Sequence, residues 1–174
     1  KNTTYYAVFA TINNFSTQAA IEDIEDGAKV VIVAVASMDA TGSSGKAISS
    51  RATDDTYNLQ GDSVAIMEDH INTPHSTCIW TVTIEEGKYI FTQDGKYLNG
   101  AKVDTHYNLK YNNTKDTWTL TSVAGKDNTY HMKSTNTSYF AEFFKGKFTL
   151  YKEANDLGDF DMQFFVTANE DGNA

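Results

Sequence analysis

Apolar residues along this chain recur in short alternating runs and never hold a helical spacing. Cys78-Ile-Trp-Thr-Val-Thr-Ile alternates with a period of two, which places every second side chain on one face of a strand. Trp118-Thr-Leu-Thr repeats the pattern. Between the two lie Tyr89-Ile-Phe, Lys96-Tyr-Leu and Leu109-Lys-Tyr. Tyr130-His-Met, Ser138-Tyr-Phe, Phe148-Thr-Leu-Tyr and Phe164-Phe-Val-Thr follow the second. Turn signals separate these runs: Glu85-Glu-Gly, Asp94-Gly95, Asn99-Gly100, Asn112-Asn113, Gly125-Lys-Asp-Asn and Lys145-Gly146. Asp-Gly and Asn-Gly suit tight hairpins because both residues tolerate positive φ. Short strands punctuated in this way predict an all-β sandwich or barrel.

Upstream the pattern is looser. Thr3 to Ile12 reads as a strand closed by a turn at Asn13-Asn14. Ile21 and Ile24 anchor an acidic helical turn that Gly27 would end. Lys29-Val-Val-Ile-Val-Ala-Val-Ala is a continuous β-branched run, predicting a buried strand. Residues 37–62 are rich in Ser, Gly, Asp and Thr and read as a loop with one apolar pair, Ala47-Ile48. Val64-Ala-Ile-Met is a strand, and Glu68 to Thr77 a polar loop. The polar tail from Asn169 to Ala174 is expected to fray.

The runs repeat at a long period. Trp80 and Trp118 are 38 residues apart, and Tyr89 and Tyr130 are 41 apart. A period of about forty holding four short strands suits a propeller blade or a trefoil unit. The chain is too short for four blades. Three units can be drawn, at about 29–83, 88–121 and 129–168, after a lead-in over 1–28, within a single domain spanning 1–174. This arrangement resembles a β-trefoil. The resemblance implies a closed barrel made by the first and last strands of each unit, with the middle pairs as hairpin caps. It also implies that Trp80, Trp118 and Phe164 (or Phe165, one position on) fill equivalent barrel places. A lipocalin-like barrel or a β-sandwich is the alternative fold, but an eight-stranded meander would not generate the Trp80/Trp118 period.

Other short motifs resemble exported domains of gut Bacteroidetes. These are the strand Tyr5 to Thr11, the Asp26-Gly27 turn before Val30 to Val35, Gly95-Lys-Tyr-Leu and Phe148-Thr-Leu-Tyr. That resemblance implies an extracellular or cell-envelope location, with a signal peptide removed, and a binding role. The Asn, Thr and Ser content agrees with export.

Charge narrows the partners. A net charge of −9 would repel a phosphate backbone and anionic lipid, so neither nucleic acid nor membrane insertion is expected. No run of about 18 apolar residues exists to span a bilayer as a helix. The single cysteine, Cys78, excludes an internal disulfide, and its apolar setting reads as a buried, inert thiol.

Candidate chemistry is sparse. His70, His75 and Cys78, with Asp69, fit no standard zinc spacing, so no metal and no cofactor is expected. The doublets Asp54-Asp55 and Glu85-Glu86 alternate faces on a strand and make poor acid/base pairs. No nucleophile-elbow, zincin or phosphate-loop motif occurs. No catalytic residue is therefore named, and the chain is not read as an enzyme. Ricin-type trefoils carry Gln-x-Trp in each unit; only Gln163-Phe-Phe165 approaches it here, and the other units hold Cys78-Ile-Trp80 and Asp116-Thr-Trp118. Their sugar site cannot be carried over.

The best polar-aromatic cluster is Asp94, Asn99, Asp104, His106, Tyr107 and Asn108. Carboxylate and amide groups can bind paired sugar hydroxyls while an aromatic face meets the C–H side of the ring. Turn chemistry explains Asp94 and Asn99 equally well. The expected function is a non-catalytic, exported binding module for a glycan or a surface or host protein. The alternative is a protease-inhibitor-type trefoil presenting residues 68–77 or 37–62 as an exposed loop.

Overall fold

A computed structural model describes residues 14–167. The strand expected at Tyr5 to Thr11 and the tail from Asn169 lie outside the described residues. Fourteen strands follow in order. They are β1 (Asn14–Gln18), β2 (Lys29–Ala34), β3 (Ser44–Ala52), β4 (Leu59–Met67), β5 (His70–Asn72), β6 (Trp80–Glu85) and β7 (Lys88–Gln93). The rest are β8 (Lys96–Val103), β9 (His106–Asn112), β10 (Trp118–Ser122), β11 (Thr129–Ser134), β12 (Phe140–Phe144), β13 (Lys147–Tyr151) and β14 (Met162–Thr167). Single 3-10 turns sit at Ile21–Asp23, Val35–Ser37 and Ser76–Cys78.

The pairings close a ring. β2 pairs β6, β6 pairs β7, β7 pairs β10, β10 pairs β11, β11 pairs β14, and β14 returns to β2. A six-stranded closed barrel has no free edge. The hairpins β3–β4, β8–β9 and β12–β13 cap it, and β13 joins β4 through Phe148 opposite Leu59. This is β-trefoil-like architecture, all-β as the alternation predicts.

Register fixes which residues are equivalent. Val30 lies opposite Trp80, Tyr89 opposite Trp118, and Tyr130 opposite Met162. The partner of the two tryptophans in the third unit is therefore Met162. Phe164, the expected equivalent, falls two places on, in a layer with Val82 and Leu120, which face Ile32, Phe91 and Met132 in turn. All twelve of these side chains are buried in one core cluster. The match to Gln163-Phe-Phe165 fails for the same reason, because the segment aligned with Asp116-Thr-Trp118 is Phe160-Asp161-Met162. An aromatic pair at 164–165 drew the sequence alignment two residues out of register at Phe164 and three at Gln163-Phe-Phe165.

That pair is explained by burial on both faces. Phe164 faces the barrel core, and Phe165 joins a second cluster with Phe15, Val31, Val33, Ala47, Val64, Ile66, Ile71 and Cys78. β1 pairs both β14 and β5, and β5 pairs β4, so these strands form an outer layer over β2 and β14. A strand covered on both sides reads as a continuous apolar run, as in residues 30–34.

Several local expectations change. Asn14 opens β1, where a turn was expected. Residues 37–62, read as a loop, contain β3 and the start of β4. The small residues there serve close strand packing: a Cβ at Gly45 would meet Val33 Cγ1 at 2.9 Å, and one at Gly61 would meet Lys46 Cβ at 2.9 Å. Residues 68–77 contain β5 and most of a 3-10 turn. Neither segment is a long free loop. Asn99-Gly100 lies inside β8, whereas Asp94-Gly95 and Lys145-Gly146 are tight turns with positive φ.

One cap residue gives a pH prediction. Glu142 on β12 is buried, and burial raises its carboxyl above the ordinary 4.5; a hydrogen bond from Thr149 opposes this and the nearby Asp159 charge adds to it. A carboxyl raised on folding holds its proton longer in the folded chain. Its stabilisation is complete below 4.5 and is lost as pH rises through the folded value. Glu142→Gln should therefore gain stability relative to the parent at neutral pH and lose that gain in acid. Urea unfolding at the two pH values measures it, and a constant difference would reject the burial argument.

Candidate functional site

The structure divides the six sequence-selected residues. Asp94 occupies the β7–β8 turn with φ 46°, and Asp104 the β8–β9 turn with φ 56°. The eight residues of β8 hold them at opposite ends, roughly 25 Å apart at strand rise. His106 is exposed at the start of β9. Asn99 and Asn108 lie within strands and are buried. Their expected loop positions are corrected, because Asn99 pairs with Lys110 and Asn108 with Ala101 inside the β8–β9 hairpin. Ser49, Asn99 and Glu142 occupy equivalent buried polar places in the three hairpins, as do Asn58 and Asn108. Asn99 Nδ2 donates to Asn112 Oδ1 at 2.7 Å and to the Tyr97 carbonyl at 3.1 Å, so its visible role is to brace the hairpin.

Tyr107 alone reaches a cleft with a partner. Its ring stacks on Tyr139 with centroids 3.7 Å apart and planes 18° apart. One ring comes from β9 and the other from the loop before β12, so the stack bridges the second and third units. Burial, then the hydrogen bond that the neutral phenol makes to Tyr107, pushes the Tyr139 phenol above its usual value. Lys102 Nζ sits 5.6 Å from the Tyr107 centroid, within cation–π range. The cleft beside the stack has a volume of about 540 Å³ and is lined by Tyr107, Lys102, Thr114, Lys115, Asn136 and Thr137, with the backbone at Gly100 and Ala101.

Asp116 sets this seam. It is 1% exposed and accepts four hydrogen bonds. Gly100 N (2.9 Å) and Ser134 Oγ (2.6 Å) donate to Oδ2. Thr117 N (2.8 Å) and Asn136 N (3.0 Å) donate to Oδ1. One carboxylate thus ties β8 of the second unit to the loop after β11 of the third. Gly100 permits the approach, because a Cβ there would lie 2.5 Å from Ser134 Oγ and 2.9 Å from both Leu150 Cδ1 and Thr137 Oγ1. Lys115 Nζ pairs with Glu85 at 2.7 Å, and that hydrogen bond raises the Lys115 ammonium.

The other two seams differ. Between the first and second units a cleft of about 320 Å³ is lined by Lys29, Ser50, Ser76, Thr77, Gln93 and Asp94, among others, and no aromatic ring lines it. Asp94 belongs to this cleft, away from Tyr107. At the third seam Phe143 holds the place of Gly100 and Ser50, and Phe160 that of Asp116 and Cys78. Cys78 is buried, and burial pushes its thiol up to about 12, consistent with an inert side chain. No group of His, Cys, Asp and Glu able to hold a metal ion occurs among the described residues.

Tyr139, Lys102, Lys115, Asn136, Thr137 and Asp116 were missed by sequence reasoning. Asp116 was visible only as a departure from Gln-x-Trp, and Tyr139 only as one aromatic of a strand signal. Nothing in the local spacing joins Tyr107 to Tyr139, 32 residues on.

The sequence matches no protein-family model and no curated protein. Solved structures match at the level of fold. A ricin B-like lectin from Macrolepiota procera, in complex with lactose, is 14% identical with TM-score 0.59, over 83% of this chain and 98% of that one. A salivary protein from Culex quiquefasciatus of the Cysteine and Tryptophan-Rich family is 15% identical with TM-score 0.58, over 82% and 95%. A designed three-fold symmetric protein, ThreeFoil, is 13% identical with TM-score 0.54, over 80% and 98%. These likenesses, with the closed ring and the three capping hairpins, establish the β-trefoil-like fold.

Proposed function

We propose that this chain is a non-catalytic glycan-binding module, acting outside the cell or at its envelope, with its sugar site in the Tyr107–Tyr139 cleft. The observation that carries this reading is the Tyr107 ring, stacked from behind by Tyr139, at the wall of an open cleft whose other side chains are mostly polar. A sugar ring presents C–H groups on one face and hydroxyls at its rim, and this lining offers a partner to each. The lactose-bound lectin of the same fold supports the class of ligand. Of the six residues selected from sequence, Tyr107 is the proposed contact; Asp94, Asp104 and His106 lie on exposed ground, with Asp94 on the neighbouring cleft. A surface protein is the other partner class compatible with such a cleft.

A glycan array with the purified chain tests the proposal. Tyr107→Ala should weaken binding at least roughly tenfold, about 1.4 kcal/mol, because the cleft loses its aromatic wall. Tyr107→Phe should retain most of the binding. Array signal unchanged in Tyr107→Ala would move the site elsewhere, and a silent array would reject the glycan reading.

A further inference from the structure

We infer that the Tyr107 cleft selects glycans carrying a carboxylate or sulfate, and that Lys102 meets the anion. The inference rests on the glycan reading above and adds the charge class of the ligand.

The chain carries a net charge of −9, yet the cleft is lined by two lysines and no carboxylate. The two lysines are not equivalent. Lys115 is paired with Glu85 at 2.7 Å, so its charge is already answered within the chain. Lys102 has no carboxylate within ion-pair distance among the described residues. Its ammonium lies 5.6 Å from the Tyr107 centroid. A cation–π contact restrains the long side chain, so less rotamer freedom is lost when an anion arrives. The charge is thereby held beside the aromatic ring at the cleft wall.

The hydroxyl chemistry agrees. Thr137 Oγ1 already accepts from Tyr139 N at 3.2 Å, which leaves its hydrogen to donate into the cleft. The Asn136 side-chain nitrogen is engaged by the Lys115 carbonyl at 2.9 Å and holds that wall in place. A lining weighted towards donors suits an acceptor-only group such as a carboxylate or sulfate. The equivalent cleft between the first and second units supplies the contrast, since Asp94 and Lys29 line it together and present both signs.

The test uses matched pairs on the intact chain. These are oligogalacturonate against its methyl ester, a sulfated glycan against its desulfated form, and sialyllactose against lactose. At least one acidic member should bind roughly tenfold tighter than its neutral partner, the worth of one charge-assisted hydrogen bond. Lys102→Gln should erase that preference, read as the ratio of the two affinities within the pair, and Lys102→Arg should keep it. Which pair responds separates carboxylate from sulfate. Equal affinity within every pair, or a preference that survives Lys102→Gln, overturns the inference and leaves the glycan site standing. Binding to no member, acidic or neutral, overturns the site and the inference together.

Discussion

Asp116→Ala is expected to lower the stability of the chain by roughly 3–4 kcal/mol and its melting temperature by about 10 °C. The buried carboxylate accepts from Gly100 N, Ser134 Oγ, Thr117 N and Asn136 N. Removing it strands donors in a place water does not readily reach, at about 1–3 kcal/mol for each one left buried. Gly100 and Ser134 are both buried; Asn136 is exposed and recovers by solvation. Asp116→Asn is expected to be nearly as costly, because its amide NH₂ would oppose N–H and O–H donors. The same substitution should weaken glycan binding, since Asp116 holds the loop that leads to Tyr139. Thermal unfolding followed by circular dichroism gives the first quantity, and array titration the second. A stability loss under about 1 kcal/mol would mean that water replaces the carboxylate and that the seam is not closed by it.

The barrel was legible because its signal is local and repeated. Alternation around Trp80 and Trp118 and the Asp94-Gly95 turn each act over a few residues, and the forty-residue spacing copies them. Register was less legible. It is set by which strand faces which across the ring, and Phe164-Phe165 gives an apolar side chain to both faces, so the sequence offers two alignments where pairing admits one. Residues 37–62 misled for the opposite reason. Ser, Gly and Asp usually mark loops, but at Gly45 and Gly61 their small size allows strands to meet, and Asp62 is buried against Arg51 and Thr77. Burial would raise that carboxyl, but the hydrogen bonds from Thr77, Arg51 and Ser49 hold it below its usual range.

The candidate site was the least legible part. Asp94 to Asn108 form a group in the sequence because they are close along the chain and mix carboxylate, amide and aromatic side chains. A hairpin spreads such a stretch over its length and alternates its sides, so Tyr107 faces a cleft while Asn108 is buried. The residues that join Tyr107 come from 114–115 and 136–139, and only closure of the second unit onto the third brings them there.

Trp118→Ala and Trp80→Ala should each cost about 4–5 kcal/mol, a large share of the 5–15 kcal/mol that holds a typical domain together. Both indoles are fully buried, and both make the same bond: Trp80 Nε1 donates to the Ile48 carbonyl and Trp118 Nε1 to the Leu98 carbonyl, each at 3.0 Å. Ile48 and Leu98 are equivalent positions on the first strand of their hairpins. Each tryptophan therefore fastens a cap hairpin to the barrel as well as filling the core. Truncation removes the packed ring and leaves a carbonyl without its donor. Trp→Phe isolates the second effect and should cost about 1–3 kcal/mol at either site. Met162, the third member of the set by register, has no N–H to give, so Met162→Ala should cost only the cavity, about 2–4 kcal/mol. Urea unfolding followed by far-ultraviolet circular dichroism measures these five variants, with Phe164→Ala as the sixth. Similar losses at Trp80 and Trp118, each above that at Met162, support equivalence by register. A loss at Phe164→Ala shared with the tryptophans while Met162→Ala is neutral would restore the alignment read from sequence and overturn the one read from pairing.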